Sequence, residues 1–404
     1  DSPWAMQLLN LSIGTLSALL VLTRAPFALG LRIGVVFNYF FFYEYLVISR
    51  GYGLGLFLVL LACCLYNREP QPIVCLSFVL FLLCQTSIYG VLLSLAFTFL
   101  IFVDLIKAER SDRFRRRLAV CIVLLGVILA IVQVMPPSDS AFLGKKRGDL
   151  FYRFTRTSSI IWDGLIPLPS FQLHFWNSSI IESRTVRALF GIALLLLLLQ
   201  CFQQRSWHAC LFFFLASSAL LLFAHLIYAG CLRHCGHLFI AFIVSLWIAR
   251  GTGKSPLFRS IVTLTLFAGV IASIWAHACE LSHPFSAARE TANFIESEGL
   301  ADQFLLGHID YASSSVSGYL QRPLFYLAGK RKGSFIVWDE RRLEYQRERA
   351  LEQAYHEGTK QGLRVILISN QALPNDEPIA VFDEAIVETE RFWVYEIAGN
   401  SRAP

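Results

Sequence analysis

The chain has 404 residues, of which 55% are apolar, and carries 35 Lys and Arg against 29 Asp and Glu, a formal net charge of +6. The apolar residues gather into neighbouring runs close to the ~20 residues a hydrocarbon core demands, which indicates a polytopic membrane protein and excludes an ordinary soluble domain. The small positive excess is unevenly placed and speaks to topology, with no reason to invoke a nucleic-acid partner.

The opening Asp1-Ser2-Pro3-Trp4 has no initiator Met and no signal-peptide pattern, so a longer protein with further N-terminal sequence is expected. Ten spans are then predicted, at about 5–22, 29–48, 51–66, 72–89, 90–106, 118–134, 186–202, 210–229, 236–249 and 260–277. Cys63, Cys64, Cys75, Cys84, Cys121, Cys201 and Cys210 lie in or beside these runs and read as small hydrophobes.

One set of short loops carries Arg24, Arg32, Arg68, Lys107, Arg110, Arg113, Arg115, Arg116, Arg117, Arg205, Arg250, Lys254 and Arg259. The alternate short loops carry only Arg50 and Arg233. The first set is therefore assigned to the cytoplasm, which places the loop 135–185 and the tail outside. Within that loop, Ile160–Pro167 and Phe171–Trp176 read as segments lying at headgroup level.

The expected fold is a membrane all-α bundle over 1–280 followed by a small extracytoplasmic α/β domain over 281–404. In the tail, Ser286 is placed to cap a helix through Leu300, with Ala288, Ala292 and Ile295 on one face. Gln303–Ile309, Gly333–Trp338, Leu363–Ile368 and Phe392–Ile397 read as strands, and Arg341–Lys360 as an amphipathic helix. No nucleotide-binding glycine fingerprint and no internal repeat is visible.

Two constellations carry possible chemistry. Tyr43-Glu44-Tyr45 precedes Ser49-Arg50-Gly51-Tyr52-Gly53 at the outer end of the second span. An ionisable Glu44 inside an apolar run needs a partner or a wet cavity. A continuous helix would put Tyr45 with Tyr52, and Tyr43 with Arg50, on shared faces; Gly51 and Gly53 would instead break it. The second constellation runs His225-Leu226-Ile227-Tyr228-Ala229-Gly230-Cys231-Leu232-Arg233-His234-Cys235-Gly236-His237. A cation beside an imidazole at a membrane surface is costly unless it meets an anion, and the guanidinium fork suits phosphate oxygens. At both places the plain alternative is a set of interfacial anchors.

Cys231, His234, Cys235 and His237 also have zinc-ligating chemistry, but no second Cys/His pair stands elsewhere at ligand spacing. A Cys231–Cys235 disulfide suits regular helical geometry poorly. Glu44, Asp149, Asp163, Glu182 and Glu280 are outer carboxylates, none in a motif that names a general base. Asn177-Ser178-Ser179 is a glycosylation sequon of little specificity.

Four passages together resemble a known family: Tyr43–Gly55, Gln85-Thr86-Ser87-Ile88-Tyr89-Gly90, His225–Tyr228 with Arg233-His234, and Pro284-Phe285-Ser286. The resemblance is to the bacterial integral-membrane glycosyltransferases of the GT-C superfamily, near the protein mannosyltransferases and lipid A aminoarabinose transferases. It implies an inverting transferase of the inner membrane that takes a sugar from a polyprenyl-phosphate donor on the extracytoplasmic side. Arg50, Arg233 and His234 would then hold the donor phosphate, Tyr45, Tyr52 and Tyr228 would line the cavity, and Glu44 would orient a cation or reach the sugar. The family's acidic base lies in a loop after its first span, expected here upstream of Asp1, so the chain as given is expected to be inactive. A divalent metal is compatible with the family, and no residue here places one. The rivals are a transporter or flippase of lipid-linked sugars, which needs the same cations and no base, and a scaffold presenting the tail.

Overall fold

The computed structural model describes residues 4–48, 51–107, 109–141, 148–345, 349–361, 364–373 and 376–397. Asp1 and Arg50 lie outside the described residues. The chain divides into two compact units: Asp1–Met135 with Arg147–Phe171 and Asn177–His277, and Pro136–Lys146 with Gln172–Trp176 and Ala278–Pro404.

The first unit is helical. In chain order come α1 (Trp4–Arg24), α2 (Leu29–Val36), a π-helix (Tyr39–Val47), α3 (Tyr52–Tyr66), α4 (Ile73–Cys84), α5 (Ile88–Lys107) and α6 (Arg110–Val134). There follow α7 (Leu150–Leu165), α8 (Arg184–Arg205), α9 (Trp207–Leu226), α10 (Leu232–Ile248) and α11 (Pro256–Ser282). Six of these (α1, α5, α6, α8, α9 and α11) are long and apolar enough to cross a bilayer, and they make this a membrane protein. The apolar helices α3, α4 and α10 have 15, 12 and 17 residues. At 1.5 Å per residue they reach roughly 18–26 Å, less than the ~30 Å of a hydrocarbon core.

The predicted span 29–48 is not one helix. Asn38 separates α2 from the π-helix, its side-chain oxygen accepting from Phe40 N at 3.1 Å. An Asn that caps the next turn competes with the regular helical ladder and ends it. The long loop also departs from expectation. Ile160, Ile161, Leu165 and Ile166 are buried in the protein, not laid out at headgroup level. The first three belong to α7 and Ile166 closes its end; Asp149 caps the helix by accepting from Tyr152 N at 2.7 Å, and it packs on α8 and α10. Gly164 permits that approach, because a Cβ there would stand 2.5 Å from Cys235 O and 3.1 Å from Leu238 Cβ.

The core of the first unit is α10, buried at 15 of its 17 positions. A helix apolar on every side has to be surrounded, and α3, α7, α9 and the π-helix surround it.

The second unit contains a six-stranded mixed sheet: β1 (Phe304–Gly307), β2 (Leu324–Tyr326), β3 (Arg331–Gly333), β4 (Val365–Ser369), β5 (Ala380–Phe382) and β6 (Phe392–Ile397). Its order is β3-β2-β1-β4-β6-β5, with β1 parallel to β2 and β4 and the other pairs antiparallel. Along β4 the side chains alternate, so Ile366 and Ile368 join α12 (Ala288–Ser297) and α13 (Asp310–Leu320) in one core. Val365 and Leu367 join Ala350 and Ala354 of α14 (Ala350–Gln361) in the other.

Of the predicted strand 333–338 only Gly333 is in the sheet, since β2 offers β3 only three paired residues. The predicted helix 341–360 splits into a 3-10 turn over Glu340–Glu344 and then α14. Ser286 does accept from Ala288 N, at 3.2 Å, at the start of α12.

Across the β4–β6 pair, Arg364 Nε and NH2 each stand 2.5 Å from a Glu396 carboxylate oxygen. The hydrogen bonds from Arg364 hold the Glu396 carboxyl below its usual range. A lowered carboxyl contributes stability above the unfolded pKa, about 4.3 for Glu, and loses it as pH falls through the folded value. Glu396→Gln should therefore lower the thermal midpoint of the second unit slightly at pH 7 and match the parent once the parent's Glu396 is protonated, as melting curves from pH 7 down to pH 3 would show.

Candidate functional site

The two constellations meet in the first unit. A π-helix closes its ladder five residues back, so Tyr39 and Glu44 overlie one another, and the Tyr39 hydroxyl donates to Glu44 Oε2 at 2.9 Å. Glu44 is 1% exposed, so this contact is its place in the fold as well as any role in chemistry. The next residue, Tyr45, donates its hydroxyl to the backbone carbonyl of Arg233 at 2.7 Å. Tyr52 opens a separate helix, α3, yet its ring lies 5.8 Å from that of Tyr45.

The loop before α10 turns at Gly230, where φ is +72° and where a Cβ would stand 2.6 Å from His234 Nδ1. Only glycine fits both conditions. Beyond the turn, Cys231 N donates to His234 Nδ1 at 2.9 Å. That bond makes Nδ1 an acceptor, so the imidazole proton sits on Nε2. Leu232 N donates to Asn177 Oδ1 at 3.1 Å, and so a side chain from a distant loop caps the helix.

Around these imidazoles the tyrosines form a box. Tyr89 stacks on His237 with ring centres 4.2 Å apart and lies 5.4 Å from His234. Tyr52 meets His237 and His234 edge-on at 5.4 and 6.0 Å, and Tyr228 meets His234 edge-on at 5.3 Å. Gly236 lets α10 enter, because an added Cβ would overlap Phe40 and the Tyr45 hydroxyl. A narrow gap of about 10 Å³, little more than room for one water, lies beside it, lined by Tyr52, Thr86, Ser87, Gly90 and His237.

Charge surrounds the box. Burial, then the nearby Cys231, pushes the Tyr228 phenol up, while Arg233 and Arg156 pull it back. Arg187 NH1 donates to both Asp163 oxygens at 2.8 and 2.7 Å. Burial nonetheless leaves the Asp163 carboxyl above its ordinary range, with Arg187 and Arg184 acting against it. Arg153 NH2 donates to His225 O at 3.3 Å, and Thr157 Oγ1 lies 3.2 Å from His225 Nδ1.

The structure thus brings together Glu44, Tyr45, Tyr52, Tyr228, Arg233 and His234, and adds Tyr89, His237 and the α7 arginines to the predicted set. Arg50 lies outside the described residues. The zinc alternative gains nothing: among the described residues no three His, Cys, Asp or Glu side chains form a metal-holding group. His234 Nδ1 is engaged in capping, and Cys231 and Cys235 are not joined in a disulfide. Chemically, the arrangement offers a guanidinium and an imidazole Nε2–H beside a wall of aromatic faces. Compared with family models, with curated proteins and with solved structures, the chain matches none.

Gly236→Ala should overpack the box, costing about 1–3 kcal/mol. Gly30→Ala, on α2 where a Cβ meets nothing within 4 Å, should be neutral or slightly stabilising. Thermal unfolding of both variants in lipid nanodiscs checks this pair.

Proposed function

We propose that this chain is a membrane-embedded glycosyltransferase of the GT-C kind, which moves a sugar from a polyprenyl-phosphate donor to an acceptor at the tyrosine–imidazole box. The observation that carries the reading is the convergence of Arg233, His234 and four tyrosine rings at the start of α10. A lipid phosphate needs bidentate and charge-assisted donors at interfacial depth, and a sugar ring packs well on aromatic faces. The positive end of the α10 dipole adds to the field at the same place.

In this reading Arg233 and the His234 Nε2–H hold the donor phosphate, and Tyr52, Tyr89 and Tyr228 border the sugar. Tyr45 positions Arg233 through its carbonyl, and Glu44 with Tyr39 braces the π-helix that carries Tyr45. An acceptor oxygen attacks the anomeric carbon as its bond to the phosphate oxygen breaks. The bonding pair leaves with the polyprenyl phosphate, and the acceptor proton passes to a carboxylate. Arg233 and His234 offset the charge that develops on the departing phosphate. Glu44 and Asp163 are both engaged in pairs, and neither is assigned as the base.

The topology proposed with it has ten crossings, the shorter helices α3, α4 and α10 and the α2–π pair each making one. The arginine-rich loops face the cytoplasm of a bacterial inner membrane, and the box and the second unit face outside. The acceptor is a glycan, lipid or protein reached from that side.

The test uses the protein expressed from its full reading frame, in nanodiscs with a panel of radiolabelled polyprenyl-phosphate hexoses and pentoses, and bacterial envelope extract as the acceptor source. Label should leave the lipid, and Arg233→Ala should slow its loss about a hundredfold, with Arg233→Lys restoring little because a point charge lacks the fork. If label stays on its lipid but crosses the bilayer of sealed vesicles, the chain is a transporter and the reading fails.

A further inference from the structure

The helices α3 and α10 both begin at the box and both end, roughly 22–26 Å away at helical rise, at a second concavity that the proposed chemistry does not use. This groove encloses about 790 Å³, within the range of ligand sites. Its wall is apolar, formed by Leu20 of α1 with Leu61 and Leu65 of α3, and its rim carries Arg24, Arg68 and Arg250. The three arginines come from three separate places: the end of α1, the turn after α3 and the turn after α10.

Their partners leave charge to spare. Among the described residues neither the Arg24 nor the Arg68 side chain has an ion pair or hydrogen bond. Arg250 NH2 reaches Glu69 Oε1 at 3.0 Å, but the pair is 59% and 86% exposed and solvent screens it. The rim therefore keeps an excess of positive charge facing the groove.

Arg250 is also held in an unusual conformation. Its φ is +56°, immediately past the end of α10, and Gly251 follows at +87°. The first residue past a helix in this left-handed region is commonly Gly, which adopts it without penalty, whereas a side chain there is disfavoured. Nothing in the backbone geometry favours Arg over Gly at this position. What an Arg adds is a guanidinium aimed at the rim.

We propose that this groove binds an anionic phospholipid, its phosphate on Arg24, Arg68 and Arg250 and its acyl chain along Leu20, Leu61 and Leu65. The apolar wall selects a ligand with a tail, which a free phosphate lacks. The neighbouring outward face of α1, with Leu8, Leu9, Leu11, Leu16 and Leu19 exposed, is the kind of surface that lies against acyl chains. Basic pockets between transmembrane helices recognise headgroups in this way. The competing account is that the arginines only set topology and complement helix C-termini. It predicts no preference among lipids.

The experiment measures thermal unfolding and native mass spectra of the full chain, in detergent, titrated with phosphatidylglycerol, phosphatidylcholine or glycerol phosphate. Phosphatidylglycerol should raise the midpoint and remain bound, while phosphatidylcholine and glycerol phosphate do neither. Arg250→Gly should keep or raise the lipid-free midpoint and weaken phosphatidylglycerol binding about fivefold, the effect of one surface cation. Arg24→Ala with Arg68→Ala should weaken it further. An unchanged lipid preference in Arg250→Gly, or an equal shift with glycerol phosphate, overturns the proposal. Neither result bears on sugar transfer at the box.

Discussion

Burial of α10 on every side is the constraint from which the rest of the first unit follows. Such a helix satisfies its interior through its own ladder, but its ends leave donors and acceptors that the surroundings have to meet. Two asparagines from other segments do part of this. Asn177 Oδ1 accepts from Leu232 N at the start, and Asn67 Nδ2 donates to Trp247 O at 2.8 Å near the end. Ser245 returns its hydroxyl to Ala241 O at 2.8 Å within the helix. Close approach then needs small residues where neighbours come nearest, and Gly236 and Gly164 supply them.

A helix held so firmly can carry precise chemistry at its first turn. Arg233, His234 and His237 do not depend on a loop for their position, since each is fixed by the axis that carries it. Cys231 N takes up His234 Nδ1, which leaves the proton on the other ring nitrogen, and Tyr45 takes up the Arg233 carbonyl. The same rigidity links the two ends of α10: whatever tilts the helix at Trp247 also moves the imidazoles.

The apolar runs of α1, α5, α6, α8, α9 and α11 were legible in the sequence, because a bilayer-length run is a signal contained in one window. The break at Asn38 was harder to see, because a single side chain capping Phe40 N outweighed the apolar and aromatic residues on either side of it. Helix α7 was obscured by its mixed composition, being polar on the buried side at Thr155, Thr157, Ser158 and Ser159. Tyr45, Tyr52, Tyr228, Arg233 and His234 stood out by their placement at span ends. Tyr89 and His237 did not stand out as a pair, since nothing local reports a stacking contact between residues 89 and 237. The three-residue strands β2 and β5 lie below any period a pattern can show, and pairing decided them, β2 with β1 and β5 with β6.

The π-helix has a further meaning as a phase shifter. In an ordinary helix, residues five apart stand about 140° from each other, whereas here Tyr39 and Glu44 overlie. The segment therefore holds one residue more than its turns would normally take, and the surplus rotates everything after it. Tyr43, Glu44 and Tyr45 are all buried in succession, which no single face of an α-helix allows. A lineage that lost one residue here would keep a helix of nearly the same length and composition. Tyr45 would nonetheless swing about 100° from the Arg233 carbonyl, so the count of residues between Asn38 and Tyr45 carries as much information as their identities.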